Sequence, residues 1–106
     1  MIDITYNRSE NKVVVLGHAG AGAKGEDVVC AGVSAVAQTL AANVRHWERT
    51  GRLLDGKHFL QEGYGEISCN PKPKYEKSVK QVFTAICAGF ELCANAAPEY
   101  VRFRIE

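Results

Sequence analysis

The sequence predicts a single α+β domain over residues 1–106, with two long helices packed on a β-sheet in the order ββαββαβ. Two stretches carry apolar residues at spacings of three and four, the pattern of a core-facing helical stripe. Around them lie short alternating or β-branched runs bounded by Gly, Pro and Asn, which suit strands and turns. A chain of 106 residues can bury one core and is too short to split in two.

Each element has its own signal. Ile2, Ile4 and Tyr6 alternate along a half-buried strand Ile2–Tyr6. The polar run Asn7–Lys12 makes a hairpin turn into a more buried strand, Val13–Leu16, which Gly17 ends. His18 then sits at the strand's mouth, and Ala19–Glu26 reads as a small, glycine-rich, mobile loop. The first helix is predicted from about Asp27 to Trp47, with Val29, Val33, Val36, Leu40, Val44 and Trp47 as its buried stripe. Asp27 suits an N-cap, and Gly51 suits the stop. Ala31, Ala35, Ala37, Ala41 and Ala42 keep this helix thin enough for a close neighbour. Leu53–Asp55 leads to Gly56. Lys57–Gln61 and Tyr64–Cys69 then form a hairpin around Glu62-Gly63, and Pro71 and Pro73 stiffen the connector. The second helix is predicted over Tyr75–Asn95, with Val79, Val82, Phe83, Ile86, Phe90 and Cys93 buried and Pro98 limiting it. Tyr100–Ile105 alternates as a closing strand.

Composition excludes several classes. Lys+Arg 13 against Asp+Glu 12 gives a net charge of +1, so no basic excess points to nucleic acid. The start M-I-D-I-T-Y lacks a basic signal region, and no apolar run approaches the ~18 residues of a membrane span. Four cysteines without a leader fit reduced thiols in the cytoplasm better than a disulfide framework.

The chemistry concentrates in thirteen residues, H-A-G-A-G-A-K-G-E-D-V-V-C, from His18 to Cys30. A cysteine is a nucleophile as its thiolate, and a helix N-terminus or a nearby histidine stabilises that form. With the helix starting at Asp27, Cys30 falls at its third position, where first-turn N–H groups also suit an oxyanion. His18 is placed to act as general base in attack and as acid for the leaving amine. Ser34 follows Cys30 by one turn on the same face. Each residue also has an ordinary structural role: a small buried thiol for Cys30, a plain cap for Asp27, a turn residue for His18, a filler for Ser34. Their conjunction favours the catalytic set His18, Asp27, Cys30 and Ser34.

These residues carry a resemblance. Gly17-His18-Ala19, then Gly25, Asp27-Val28-Val29-Cys30-Ala31 and Ser34 resemble the signature of Prp, the ribosomal-processing cysteine protease family. The pattern match extends weakly over the rest of the chain, to the closing P-E-Y-V-R-F strand. The resemblance implies a homodimer with a Cys30–His18 dyad, supported by Asp27 and Ser34. The loop Ala19–Glu26 would cover the bound peptide, with Gly17, Ala19, Gly20, Gly22 and Gly25 as the substrate-binding residues. It implies removal of an N-terminal extension from ribosomal protein twenty-seven of the large subunit, cut after aromatic residues, or processing of phage structural proteins. The A-G-A-G-A-K loop is richer in small residues than the family's usual loop, which bears on the substrate rather than on the dyad.

Other readings are weaker. Gly20-Ala-Gly22-Ala-Lys-Gly25 matches a phosphate-binding G-x-G-x-x-G, but the βαβ unit it requires is missing from the predicted order. Cys69, Cys87 and Cys93 lack metal-ligand spacing, so neither metal nor cofactor is expected. Cys87 and Cys93 read as core thiols and Cys69 as a strand-end residue. His46 and His58 read as surface residues, and Trp47 and Phe59 as core or dimer-contact residues. The rival function is a non-catalytic ribosome- or capsid-associated module that binds peptide in the same groove.

Overall fold

The computed structural model describes residues 1–17 and 28–106 in full and the helical backbone of 24–27. The elements are β1 (Ile2–Asn7), β2 (Lys12–Gly17), α1 (Lys24–Arg49), β3 (Leu53–Gln61), β4 (Tyr64–Pro71), α2 (Glu76–Ala96) and β5 (Val101–Ile105). A 3-10 turn, Pro73–Tyr75, occupies the expected proline connector. The order is the predicted ββαββαβ.

The strands form one sheet in the order β3-β4-β2-β1-β5, antiparallel except for the β1–β5 pair. Side chains alternate across a sheet, so register assigns the faces. Ile4 pairs with Val15 and with Phe103, Tyr6 with Val13, and Val13 with Ile67. These residues share the face that both helices cover. From α1 come Val33, Ala37, Leu40, Ala41, Val44 and Trp47, all buried, and from α2 come Val79, Phe83, Cys87 and Phe90. Phe83 lies between Tyr6 and Trp47, with ring centroids 5.9 and 6.3 Å away. The opposite sheet face has no layer over it among the described residues. It holds Lys57, Phe59, Leu16 and Glu66, in register with one another or offset by one pair.

Both predicted stripes therefore reach the core, although Val29, Val36, Val82, Ile86 and Cys93 stop at half-buried depth. The alanines divide: Ala37 and Ala41 are buried, while Ala31, Ala35 and Ala42 are exposed. Glycines provide the close helix contact instead. A Cβ on Gly89 would stand 3.1 Å from Val36, and one on Gly32 would stand 3.8 Å from the Cys93 sulfur. The Val28–Arg49 stretch of α1 is long and apolar enough to cross a membrane by those two measures, contrary to the sequence expectation. A core helix passes the same test, and this one lays its stripe on the sheet.

Boundaries also move. Gly51 ends α1 as expected: its N–H reaches Glu48 O at 3.2 Å, and Arg52 N–H reaches Trp47 O at 2.9 Å, with Gly51 at φ 72°. β3 begins at Leu53, not Lys57, because Leu53–Gly56 pairs with Cys69–Pro71 through a register shift at Leu53/Asp55. Cys69 is consequently buried at 4% exposure rather than a strand-end residue. Phe59 is 44% exposed on the open face and is not core, whereas Trp47 is. His46 is exposed, and His58 is half-buried with its Nε2 2.8 Å from Glu48 Oε1.

Candidate active site

Three surfaces meet at a groove of about 380 Å³. One wall is α1, presenting Cys30, Val33, Ser34, Ala37 and Gln38. The floor is Ile2, Val15 and Gly17, at the end of the sheet where β2 stops. The other wall is the β3–β4 hairpin from Leu60 to Gly65. Cys30 to Gln38 spans eight residues of helix, or ~12 Å. An extended peptide rises ~3.3 Å per residue, so three to four residues fit alongside.

The local sequence explains each wall. Cys30, Ser34 and Gln38 recur at every fourth position, so they climb one face of α1 together. Gln38 Nε2 donates to Ser34 Oγ at 3.1 Å. That bond leaves the Ser34 hydroxyl proton available to a partner in the groove. On the hairpin, Gly65 lies beneath Leu60: a Cβ there would stand 2.8 Å from Leu60 Cδ2. Gly63 takes φ 82° at the two-residue turn, and its carbonyl accepts the Gly17 N–H at 2.9 Å. This bond ties the hairpin tip to the residue that precedes His18. Gly17 itself sits at φ 93°, where an added Cβ would run into the Met1 carbonyl oxygen.

The hairpin is braced on its open face. Tyr64 OH donates to Glu66 Oε1 at 2.7 Å, and Lys57 Nζ lies 3.0 Å from Glu66 Oε2. Those two partners, the tyrosine first, hold the Glu66 carboxyl below the usual carboxylate range. The same carboxylate raises the Tyr64 and Lys57 values.

Among the sequence-predicted residues, Gly17, Cys30 and Ser34 come together in the groove, with Cys30 half-buried and Ser34 exposed. His18, Ala19, Gly20 and Gly22 lie outside the described residues. Gly25 and Asp27 are described in backbone only, and both are helical. That corrects two expectations. α1 begins at Lys24, so Asp27 is the fourth helical residue and not the N-cap. Cys30 is the seventh, in the second turn, so the free first-turn amides belong to the preceding turn. The dipole's effect fades beyond the first turn. Helical side chains lean toward the N-terminus, which still carries the sulfur back over the turn before its own Cα. The sequence reading missed the hairpin wall and Gln38. The i, i+4, i+8 spacing could have found Gln38, whereas no local motif marks the predicted hairpin as a wall of the groove.

The other thiols differ from Cys30 in setting. Burial, then the charge of Asp55, pushes Cys69 up to about 12, and burial pushes Cys87 up to about 12. Burial also raises Cys93. Among the described residues, no group of three His, Cys, Asp or Glu side chains is placed to hold a metal ion.

A helix-borne thiol opening on a groove of peptide width is the working arrangement of a cysteine protease. The family model of the cysteine protease Prp matches residues 1–102, and the chain belongs to that family. No curated protein sequence matches it. Several solved structures share the fold. SMU.848 from Streptococcus mutans has a TM-score of 0.67 and 24% identity, over 98% of this chain and 90% of that one. The ribosomal processing protease Prp from S. aureus, with a covalently linked product peptide, has a TM-score of 0.75 and 20% identity over 100% of both chains. Its complex with a substrate peptide has a TM-score of 0.67 and 21% identity, over 99% of this chain and 97% of that one.

Proposed function

We propose that this cysteine protease removes a short N-terminal extension from a large-subunit ribosomal protein, working as a cytoplasmic homodimer. The observation that carries the reading is the groove itself, which sets Cys30 and Ser34 of α1 across from the β3–β4 hairpin. Support for the substrate comes from the S. aureus relative, a ribosomal processing protease solved with substrate and product peptides. A phage structural protein is the alternative substrate, which the same incubation tests.

The mechanism uses the chain's own residues. An extended peptide lies along α1. The Cys30 thiolate attacks the scissile carbonyl carbon, forming an S–C bond. His18, protonated, gives its proton to the leaving nitrogen as the C–N bond breaks. A water, deprotonated by His18, then hydrolyses the thioester and restores the thiolate. The Ser34 hydroxyl, turned by its bond from Gln38, is free to donate to the sulfur or to the carbonyl oxygen. Asp27 is assigned to orienting the base, and the segment that the sequence reads as the loop Ala19–Glu26, of which Lys24–Glu26 is helical, to covering the peptide.

Incubation with candidate precursor proteins, read by mass spectrometry for N-terminal loss, tests this. The wild-type chain cuts; Cys30→Ala binds the precursor peptide and does not cut. Binding without cutting by the wild type would instead support the peptide-binding module. Sedimentation at micromolar concentration tests the dimer, for which Leu16 and Phe59 on the open sheet face offer an apolar contact.

A further inference from the structure

We propose that Gln38 is a positioning residue of this protease: its side-chain amide turns the Ser34 hydroxyl so that the proton points at the Cys30 sulfur. The inference deepens the peptidase reading and takes Cys30 as the nucleophile from it.

Ser34 keeps a proton that its neighbours spend. A hydroxyl on a helix commonly donates to the carbonyl four residues back. Thr39 Oγ1 does so to Ala35 O at 2.7 Å, and Thr50 Oγ1 to His46 O at 2.9 Å. Ser34 Oγ instead accepts the Gln38 amide at 3.1 Å and donates to no other group among the described residues. A hydroxyl carries one proton and two lone pairs. Gln38 approaches from one turn beyond, so its N–H occupies a lone pair on that side and leaves the proton to face the other way along the helix. Cys30 is the residue one turn back on that face, and it lines the same groove. Side chains four apart on a helix have Cβ atoms ~6 Å apart, and one bond further out an oxygen and a sulfur can close to hydrogen-bonding distance.

The sulfur has need of such a donor. Cys30 is the seventh residue of α1, one turn beyond the free amides of the helix start. The side-chain donors in the described groove lining are Ser34, Gln38, Gln61 and Tyr64. Tyr64 gives its proton to Glu66 at 2.7 Å, Gln61 belongs to the opposite wall, and Gln38 stands two turns up. Ser34 is one turn away. A hydrogen bond donated to a thiolate favours that charged form over the thiol.

Swapping the amide for a carboxylate reverses the relay, because an ionised glutamate only accepts and draws the hydroxyl proton away from Cys30. The probe is iodoacetamide at pH 7, with the labelling rate of Cys30 read by peptide mapping and no substrate present. Gln38→Glu should slow labelling about tenfold, as Ser34→Ala does, the loss expected for one hydrogen bond to a charged group. On the Ser34→Ala background, Gln38→Glu should change the rate less than about twofold, since two turns of distance and salt screen its charge. Gln38 is exposed, and continued protection of Cys69 and Cys87 reports that each variant is folded. Wild-type labelling in Gln38→Glu, or an equal slowing with and without Ser34, overturns the positioning role. Cleavage of a precursor peptide is measured on the same proteins and should fall in the same order as labelling. The expected labelling pattern with no cleavage by the wild type would overturn the peptidase reading and leave the relay standing. Cleavage by the wild type with independent effects of the two substitutions would do the reverse.

Discussion

Gly17 is the joint on which the site hangs, and Gly17→Ala isolates it. Three local features converge there. Its φ of 93° lies beyond the left-handed well that a non-glycine residue tolerates. Its N–H holds the hairpin tip through Gly63 O at 2.9 Å. A Cβ would press on the Met1 carbonyl, and the next residue, Ile2, both lines the groove and bonds Tyr100 O at 2.7 Å. Gly51→Ala is the matched control: φ is 72°, and nothing lies within 4 Å of its added Cβ. The control carries backbone strain alone, about 1 kcal/mol, and lowers Tm by about 4–8 °C. Gly17→Ala adds the clash and weakens one or two hydrogen bonds, for a total of about 3 kcal/mol and a Tm fall of about 12–24 °C. Differential scanning fluorimetry reads both. At a temperature where both variants remain folded, Gly17→Ala should cut peptide at least ~10-fold more slowly, since ~1 Å of misplacement costs up to 100-fold. Gly51→Ala should cut normally. Equal Tm losses, or full activity in Gly17→Ala, would refute the claim that this glycine positions the site.

Three further predictions follow from the electrostatics. Iodoacetamide at neutral pH should alkylate half-exposed Cys30 first, and Cys69 and Cys87 should stay unlabelled until the chain unfolds, as their thiols are pushed up to about 12. The same shifts have a stability sign: each contribution is complete below the unfolded thiol value and is lost as pH rises toward about 12, so urea midpoints should fall from mildly alkaline pH upward. Tyr64→Phe tests the hairpin brace. The Glu66 carboxyl is lowered in the fold, so its contribution is present above the unfolded carboxylate value and is lost as pH falls through the lowered one. The variant should have a lower Tm than wild type at pH 7 and match it under strongly acid conditions; a pH-independent difference would mean that the ring alone does the bracing.

How much of this was legible in the sequence follows from which forces are local. Helix stripes, the Gly51 stop and the Glu62-Gly63 turn are set by neighbours within a few residues, and each is where the pattern put it. The start of α1 was misread because A-G-A-K-G-E mixes glycines that suggest a loop with Ala, Lys and Glu, which favour helix. Asp27 looked like a cap for the same reason. In β3, the sequence starts the strand at Lys57, after Gly56, yet pairing with β4 draws Leu53–Gly56 into it. Gly56 is there because α1 passes close: a Cβ would stand 3.1 Å from Val44 and 3.0 Å from Leu53. Cys69 is buried by its register opposite Gly56, a relation between distant segments. The site divides along the same line. Cys30 and Ser34 share a helix face and could be paired by counting. The hairpin wall joins them only through sheet order and the Gly17–Gly63 bond, which no single stretch of sequence encodes.

The most direct test asks where the peptide's acyl group goes. The wild-type chain is mixed with a matched precursor peptide, quenched in acid within a turnover, and read by intact mass and peptide mapping. The account predicts a transient gain equal to the N-terminal fragment, held as a thioester on Cys30 and lost on hydrolysis. Cleavage with no adduct at Cys30, or an adduct on Cys69, Cys87 or Cys93, would contradict it.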